Sequence, residues 1–132
     1  MDIDYNQYYP HWIDEFKRCA EWIEGALEYA NGDFDLKDIA DGISHGHYML
    51  WTCETAVLVT QILQSNKQTT IHLFLAGGTM DGVQKLVREC EEWAKTIGCN
   101  AMTLTGREGW KKSFLKPMGF EEVSINMFKK LE

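Results

Sequence analysis

TTIHLFLA (69–76), GGTM (77–80), DGVQKLVRECEEWAKTI (81–97), GCN (98–100) and AMTLT (101–105) together decide the architecture. The first run is β-branched and apolar and reads as a strand. In 79–97, Val83, Leu86, Val87, Cys90, Ala94 and Ile97 recur at spacings of three and four. They form one apolar stripe opposite Lys85, Arg88, Glu89, Glu91, Glu92 and Lys95, the signature of an amphipathic helix. Gly98 closes that helix. Residues 101–105 make a second strand. Strand, helix, strand implies a parallel crossover of the βαβ kind.

Working outward, the chain before residue 69 carries two further apolar runs, 48–53 (YMLWTC) and 55–63 (TAVLVTQIL). Glu54 separates them, and SNKQ precedes the third run. This predicts a three-stranded antiparallel meander over 48–76 whose second and third strands are central and covered on both faces. Earlier still, Trp12, Phe16, Cys19, Ile23, Leu27 and Ala30 mark a long amphipathic helix over 11–30, broken at Asn31-Gly32. A shorter helix follows over 35–44, capped by Asp33 or Asp35. After residue 105, a short helix is expected over 109–116, stopped by Pro117 and Gly119, and a last strand over 121–130. The order is α-α-β-β-β-α-β-α-β, an α/β (α+β) fold with a mixed central sheet. Residues 1–132 read as a single domain, with 1–10 as an N-terminal arm rich in tyrosine (Tyr5, Tyr8, Tyr9).

Composition narrows the function. The chain has 132 residues, 45% of them hydrophobic and 25% charged, and a net charge of −7. No apolar run approaches the ~20 residues of a membrane helix, and the acidic, aromatic start is unlike a signal or transit peptide. From residue 101 on there are six Lys/Arg and four Asp/Glu, so residues 1–100 hold seven basic and sixteen acidic side chains, a net of −9. Such a surface repels nucleic acid. A protein partner or a small-molecule amine fits better. The four cysteines, none at C-x-x-C spacing, read as reduced thiols of a cytoplasmic protein.

The order of elements resembles the GNAT acetyltransferase superfamily, which moves an acyl group from acyl-CoA to an amine. EEWAKTIGC (91–99), AMTLTG (101–106) and SFLKPMGFEEV (113–123) carry the likeness, which spans about residues 20–131. Within that superfamily the chain resembles small GNAT-like proteins encoded by tailed bacteriophages. This implies a bacteriophage viral protein of the host cytoplasm or the virion, with a role in binding or virion assembly. The resemblance implies an acetyl-CoA site in which a glycine-rich loop at the start of the long helix holds the pyrophosphate through backbone N–H groups. The matching residues are Leu75, Ala76, Gly77, Gly78, Thr79 and Gly82. The stretch lacks the family's opening Gln or Arg and adds Asp81. The same residues also read as a plain strand-to-helix turn, with Thr79 as cap and Asp81 complementing the helix dipole.

Where the family often has a tyrosine that protonates the departing thiolate, this chain has Leu115, which holds no proton to give. The remaining acid–base candidates are His72, mid-strand, and Tyr48, with Glu54 as a turn residue. His72 as a base stands beside the plainer reading of a packed strand histidine. His45 and His47 lack a visible third ligand, so no metal is expected. Trp110, Arg107, Lys111, Lys112 and Lys116 form a basic, aromatic stretch open either to solvent or to an acidic partner. Phe74, Met102 and Phe114 are candidates to fill the cleft between the strands at 69–76 and 101–105. The C-terminal strand offers an edge for a homo-oligomer.

Overall fold

The computed structural model describes residues 12–28, 34–104, 118–120 and 129. Its elements are α1 (Trp12–Arg18), α2 (Ala20–Leu27), α3 (Leu36–Ser44), β1 (Met49–Cys53), β2 (Ala56–Gln64), β3 (Thr69–Gly78), α4 (Met80–Thr96) and β4 (Ala101–Leu104). The expected arm at 1–10, helix at 109–116 and strand at 121–130 lie outside the described residues.

The sheet order is β1-β2-β3-β4. The first two pairings are antiparallel and β3–β4 is parallel. The meander and the crossover through α4 are thus as the sequence implied, with β2 and β3 central. Both faces are covered. α4 lays Val83, Leu86, Val87, Cys90 and Ala94 on one face, over Leu58, Ile71 and Leu73. α1–α3 cover the other with Phe16, Cys19, Ile23, Ile39 and Ile43, over Leu50, Val57, Val59 and Leu75. Each Val, Leu, Ile or Phe among them contributes about 1.5–3 kcal/mol on leaving water. Met118 and Phe120 pack on the α4-side core, and Gly119 between them has φ +93°. That explains the M-G-F fragment: a left-handed residue returns two apolar side chains to one core.

Among the described residues one polar side chain is fully buried, Thr60 at 0% exposure. Trp51 Nε1 donates to its hydroxyl at 3.0 Å, which offsets the desolvation. Trp51 also meets Trp93 edge-on, with ring centroids 5.5 Å apart.

The expected helix over 11–30 is interrupted at Cys19, whose ψ of 4° leaves the helical well. Hydrogen bonds run on through the break, from Cys19 N to Glu15 O and from Ile23 N to Cys19 O. The apolar stripe therefore stays in phase across it. α3 begins at a reciprocal cap: Asp35 accepts from Asp38 N at 2.9 Å, and Asp38 accepts from Asp35 N at 3.0 Å. That selects Asp35 over Asp33. α4 ends where Gly98, at φ +89°, turns the chain toward β4. Asn100 then clasps Thr69 from both sides of its peptide, accepting from Thr69 N and donating to Thr69 O, each at 3.0 Å. This aligns β4 alongside β3.

Candidate functional site

The β3–α4 junction differs from the expected loop. Gly77 and Gly78 do not form a turn; they pair with Val57 and Ala56 of β2. Only Thr79 links strand to helix. The glycines answer to close packing. A Cβ on Gly77 would sit 2.7 Å from Trp22 O, and one on Gly78, at φ +105°, would fall on the carbonyl oxygen of Thr55. A Cβ on Gly82 would meet Thr55 Oγ1 at 2.5 Å and Ala56 Cβ at 2.7 Å. The strand end and the helix start are therefore pressed against α2 and the β1–β2 turn (Glu54-Thr55).

Thr79 is the helix cap. Its hydroxyl accepts from Gly82 N at 3.1 Å and donates to Thr55 Oγ1 at 3.0 Å. Its own N–H is bonded to Thr55 O at 2.9 Å. Asp81 stands in the first turn of α4, where its charge complements the helix dipole and repels a second anion. A pyrophosphate cradle needs uncommitted backbone donors and room beside glycine. Two donors here, at Thr79 and Gly82, are committed within the chain, and the room is taken by Thr55, Ala56 and Trp22. The residues present do not fit the pyrophosphate of CoA in the expected manner.

Arg18 and Thr55 are the residues that sequence reasoning missed. Arg18 Nη2 donates to Cys53 O at 2.7 Å and Nη1 to Glu54 O at 3.1 Å. Its Nε donates to Glu15 Oε2 at 2.7 Å, and its guanidinium lies 5.9 Å from the Trp22 ring centre. Glu15 also accepts from Thr52 Oγ1 at 2.9 Å. Arg18 holds the Glu15 carboxyl below its usual pKa, and burial opposes this. Only the Glu15–Arg18 spacing of three hinted at this clamp. Its partners are carbonyls, which leave no trace in side-chain patterns.

His72 lies in β3, opposite Thr103 of β4. Its Nδ1 is 2.8 Å from Thr103 Oγ1. The ring is half-buried, and desolvation lowers its pKa from 6.5. Desolvation therefore favours the neutral imidazole, which is held by one nitrogen.

Two residues further, β3 departs from regular pleating. Val59 pairs with Leu75 but Thr60 pairs with Leu73, so Phe74 is an extra residue, a β-bulge. Ile71 and Leu73 face α4, while both Phe74 and Leu75 join the α1–α3 side. The bulge resets the alternation, placing Ala76 under α4 and Gly77 beneath Trp22.

Phe74 does not share a core with Met102. Its ring stacks on Tyr48 at 5.3 Å and meets Phe34 edge-on at 5.2 Å, whereas Met102 packs on the α4 side. Phe114 lies outside the described residues. Tyr48 is not in β1 as expected but at a bend just before it, its ring covering Gly42, where a Cβ would overlap it. Burial, then Asp38, raise the Tyr48 pKa. His72 and Tyr48 thus flank Phe74 on one side of the sheet. Nearby, between the end of α2 and the start of α3, an open cavity of about 560 Å³ is lined by Glu24, Glu28, Phe34, Asp35 and Lys37 among others.

The cysteines are unpaired; Cys19 and Cys90 are buried, and burial pushes Cys90 up to about 12. His45 and His47 stack at 6.2 Å, and among the described residues no three His, Cys, Asp or Glu side chains converge as a metal site would need. No described helix is long and apolar enough to cross a membrane. Leu115 and the basic stretch around Trp110 lie outside the described residues.

No family model and no curated protein sequence matches this chain. Solved structures do. An aminoglycoside acetyltransferase from an uncultured soil metagenomic sample, in complex with trehalose, superposes with a TM-score of 0.68 at 11% identity, over 90% of each chain. A probable acetyltransferase gives 0.67 at 9% identity, over 90% of this chain and 92% of its own. A Trypanosoma brucei acetyltransferase gives 0.60 at 16% identity, over 73% of this chain and 78% of its own. At such identities the likeness establishes the fold: a GNAT-like α+β fold with a mixed sheet, as the sequence resemblance implied.

Proposed function

We propose that this chain uses the acetyltransferase fold as a binding module, with at most weak acyl transfer. One observation carries the reading: of the residues assigned to the CoA phosphates, Thr79 bonds to Thr55 of the same chain, and Thr55 takes up the space beside Gly78 and Gly82. The occupant of such a module is a protein partner. The setting, implied by the sequence resemblance alone, is a tailed-phage particle or its assembly.

The test is isothermal titration of the full chain with acetyl-CoA. The expected result is no measurable heat of binding at about 100 µM ligand. A dissociation constant in the micromolar range, about −8 kcal/mol, would overturn the proposal.

A second reading is an acetyl-CoA-dependent N-acetyltransferase acting on an amine. It is favoured by His72, a half-buried imidazole held by Thr103 two residues from the bulge, whose pKa desolvation lowers. The metagenomic aminoglycoside acetyltransferase has also been seen in complex with sisomicin, which makes aminoglycosides the first acceptors to assay.

A further inference from the structure

His72 lies between Ile71 and Leu73, which belong to the α4-side core, so its ring faces the α1–α3 side of the sheet. It stands one pleat beyond Phe74, the last ring of β3 that packs against the α1–α3 core. Its strand neighbours on that face are Gln61 of β2 and Thr103 of β4. Neither is charged, and burial is the cause that moves its pKa.

The two ring nitrogens are placed differently. Nδ1 is 2.8 Å from Thr103 Oγ1. Nε2 has no partner among the described residues, and among these no buried side-chain nitrogen or oxygen is left without one, so Nε2 reaches solvent. Thr103 is exposed. Its hydroxyl proton can go to water while its lone pairs face the ring. The register that joins the pair is pinned three residues earlier, where Asn100 holds both Thr69 N and Thr69 O. A slip of one residue would turn Thr103 to the α4 face.

We propose that Thr103 is a positioning residue for His72: its hydroxyl accepts the Nδ1 proton, which leaves the Nε2 lone pair, on the solvent side, to take a proton from the ammonium group of an acceptor. This rests on the N-acetyltransferase reading and deepens it by naming the basic nitrogen and what fixes it. The proton passes from the ammonium nitrogen to Nε2, and the amine keeps its lone pair. The imidazolium then carries one proton on each nitrogen, with Nδ1–H still given to Thr103. A bond from a charged donor is the stronger one, so Thr103 stabilises the imidazolium more than the neutral ring. The opposite tautomer reverses the sign: a hydroxyl donating to Nδ1 bonds the neutral ring only and weakens proton binding.

The experiment is NMR of the His72 ring nitrogens across pH in the full chain, unaltered and as Thr103→Val and Thr103→Ser. In the unaltered chain, above the titration, Nδ1 is expected at the position of a protonated nitrogen and Nε2 at that of an unprotonated one. Thr103→Val keeps the side chain's shape and removes the hydroxyl. There the two signals are expected to move toward each other, and His72 to bind its proton about fivefold more weakly. Thr103→Ser should restore both. A protonated Nε2 in the unaltered neutral ring, unchanged ring signals in Thr103→Val, or tighter proton binding in that variant would each overturn the proposal. The N-acetyltransferase reading fails separately: an unaltered chain that shows the Nδ1 proton but moves no acetyl group from acetyl-CoA to an aminoglycoside would sink that reading and leave the positioning of His72 in place.

Discussion

Replacing Gly78 by alanine tests the packing on which the site rests. Gly78 has φ +105°, and its added Cβ would fall on Thr55 O and lie 2.6 Å from Ala56 Cα. Both are backbone atoms in a paired hairpin, so they cannot rotate away. The positive φ costs an alanine roughly 1–2 kcal/mol, and the forced shift of a packed turn adds about 1–3 kcal/mol. Gly98→Ala is the matched control. Gly98 also has a positive φ, +89°, but a Cβ there meets nothing within 4 Å. It should lose only the ~1–2 kcal/mol conformational part, and the gain from a stiffer unfolded chain is common to both. At roughly 3–5 °C per kcal/mol for a domain of this size, a central loss of ~3.5 kcal/mol at Gly78 lowers Tm by about 10–17 °C. Gly98→Ala lowers it by about 5–8 °C on the same conversion. The assay is urea and thermal unfolding followed by circular dichroism. Equal losses for the two variants would refute the close approach of Thr55 to the β3–α4 junction, and with it the account of why these residues are glycines.

Two further outcomes follow from the same geometry. Trp51→Phe strips Thr60 of its Nε1–H partner at a fully buried position and should cost about 1–3 kcal/mol beyond the lost ring area; adding Thr60→Val should recover much of that share, and strict additivity in the urea-melt cycle would count against the bond. His72 has a folded-state pKa below 6.5, so the unfolded chain binds its proton more readily: its contribution to stability is whole above pH 6.5 and is lost as pH falls from there through the folded value. The slope of unfolding free energy against pH in that window should flatten in His72→Gln, and an NMR titration placing His72 above 6.5 would contradict the burial argument.

How far the sequence reaches is shown by the contrast between α4 and the junction before it. The stripe from Val83 to Ala94 is a one-dimensional signal, because a helix with one buried face repeats its apolar residues at a fixed period. The meander, the crossover and the cap at Thr79 are readable for the same reason: each is set by neighbours within a few positions. Gly77, Gly78 and Gly82 are not. Three glycines at a strand end suit a phosphate cradle and a close-packed joint equally well, since in both the backbone must be approached closely. What decides is the approaching group, and here it is Thr55, more than twenty positions away, held by an arginine on α1 whose acceptors are main-chain carbonyls. The bulge at Phe74 was hidden likewise, because one extra residue in an apolar strand changes no composition and only the pairing with β2 exposes it. It nonetheless fixes that Leu75 faces α1–α3 and that Gly77 lies under Trp22. A strictly alternating strand would have sent Gly77 to the α4 face and put Ala76 where Trp22 now approaches, with no room for its methyl group. The glycines and the bulge are therefore one device: the bulge chooses the face, and the missing side chains let α2 and the turn close on the end of the strand.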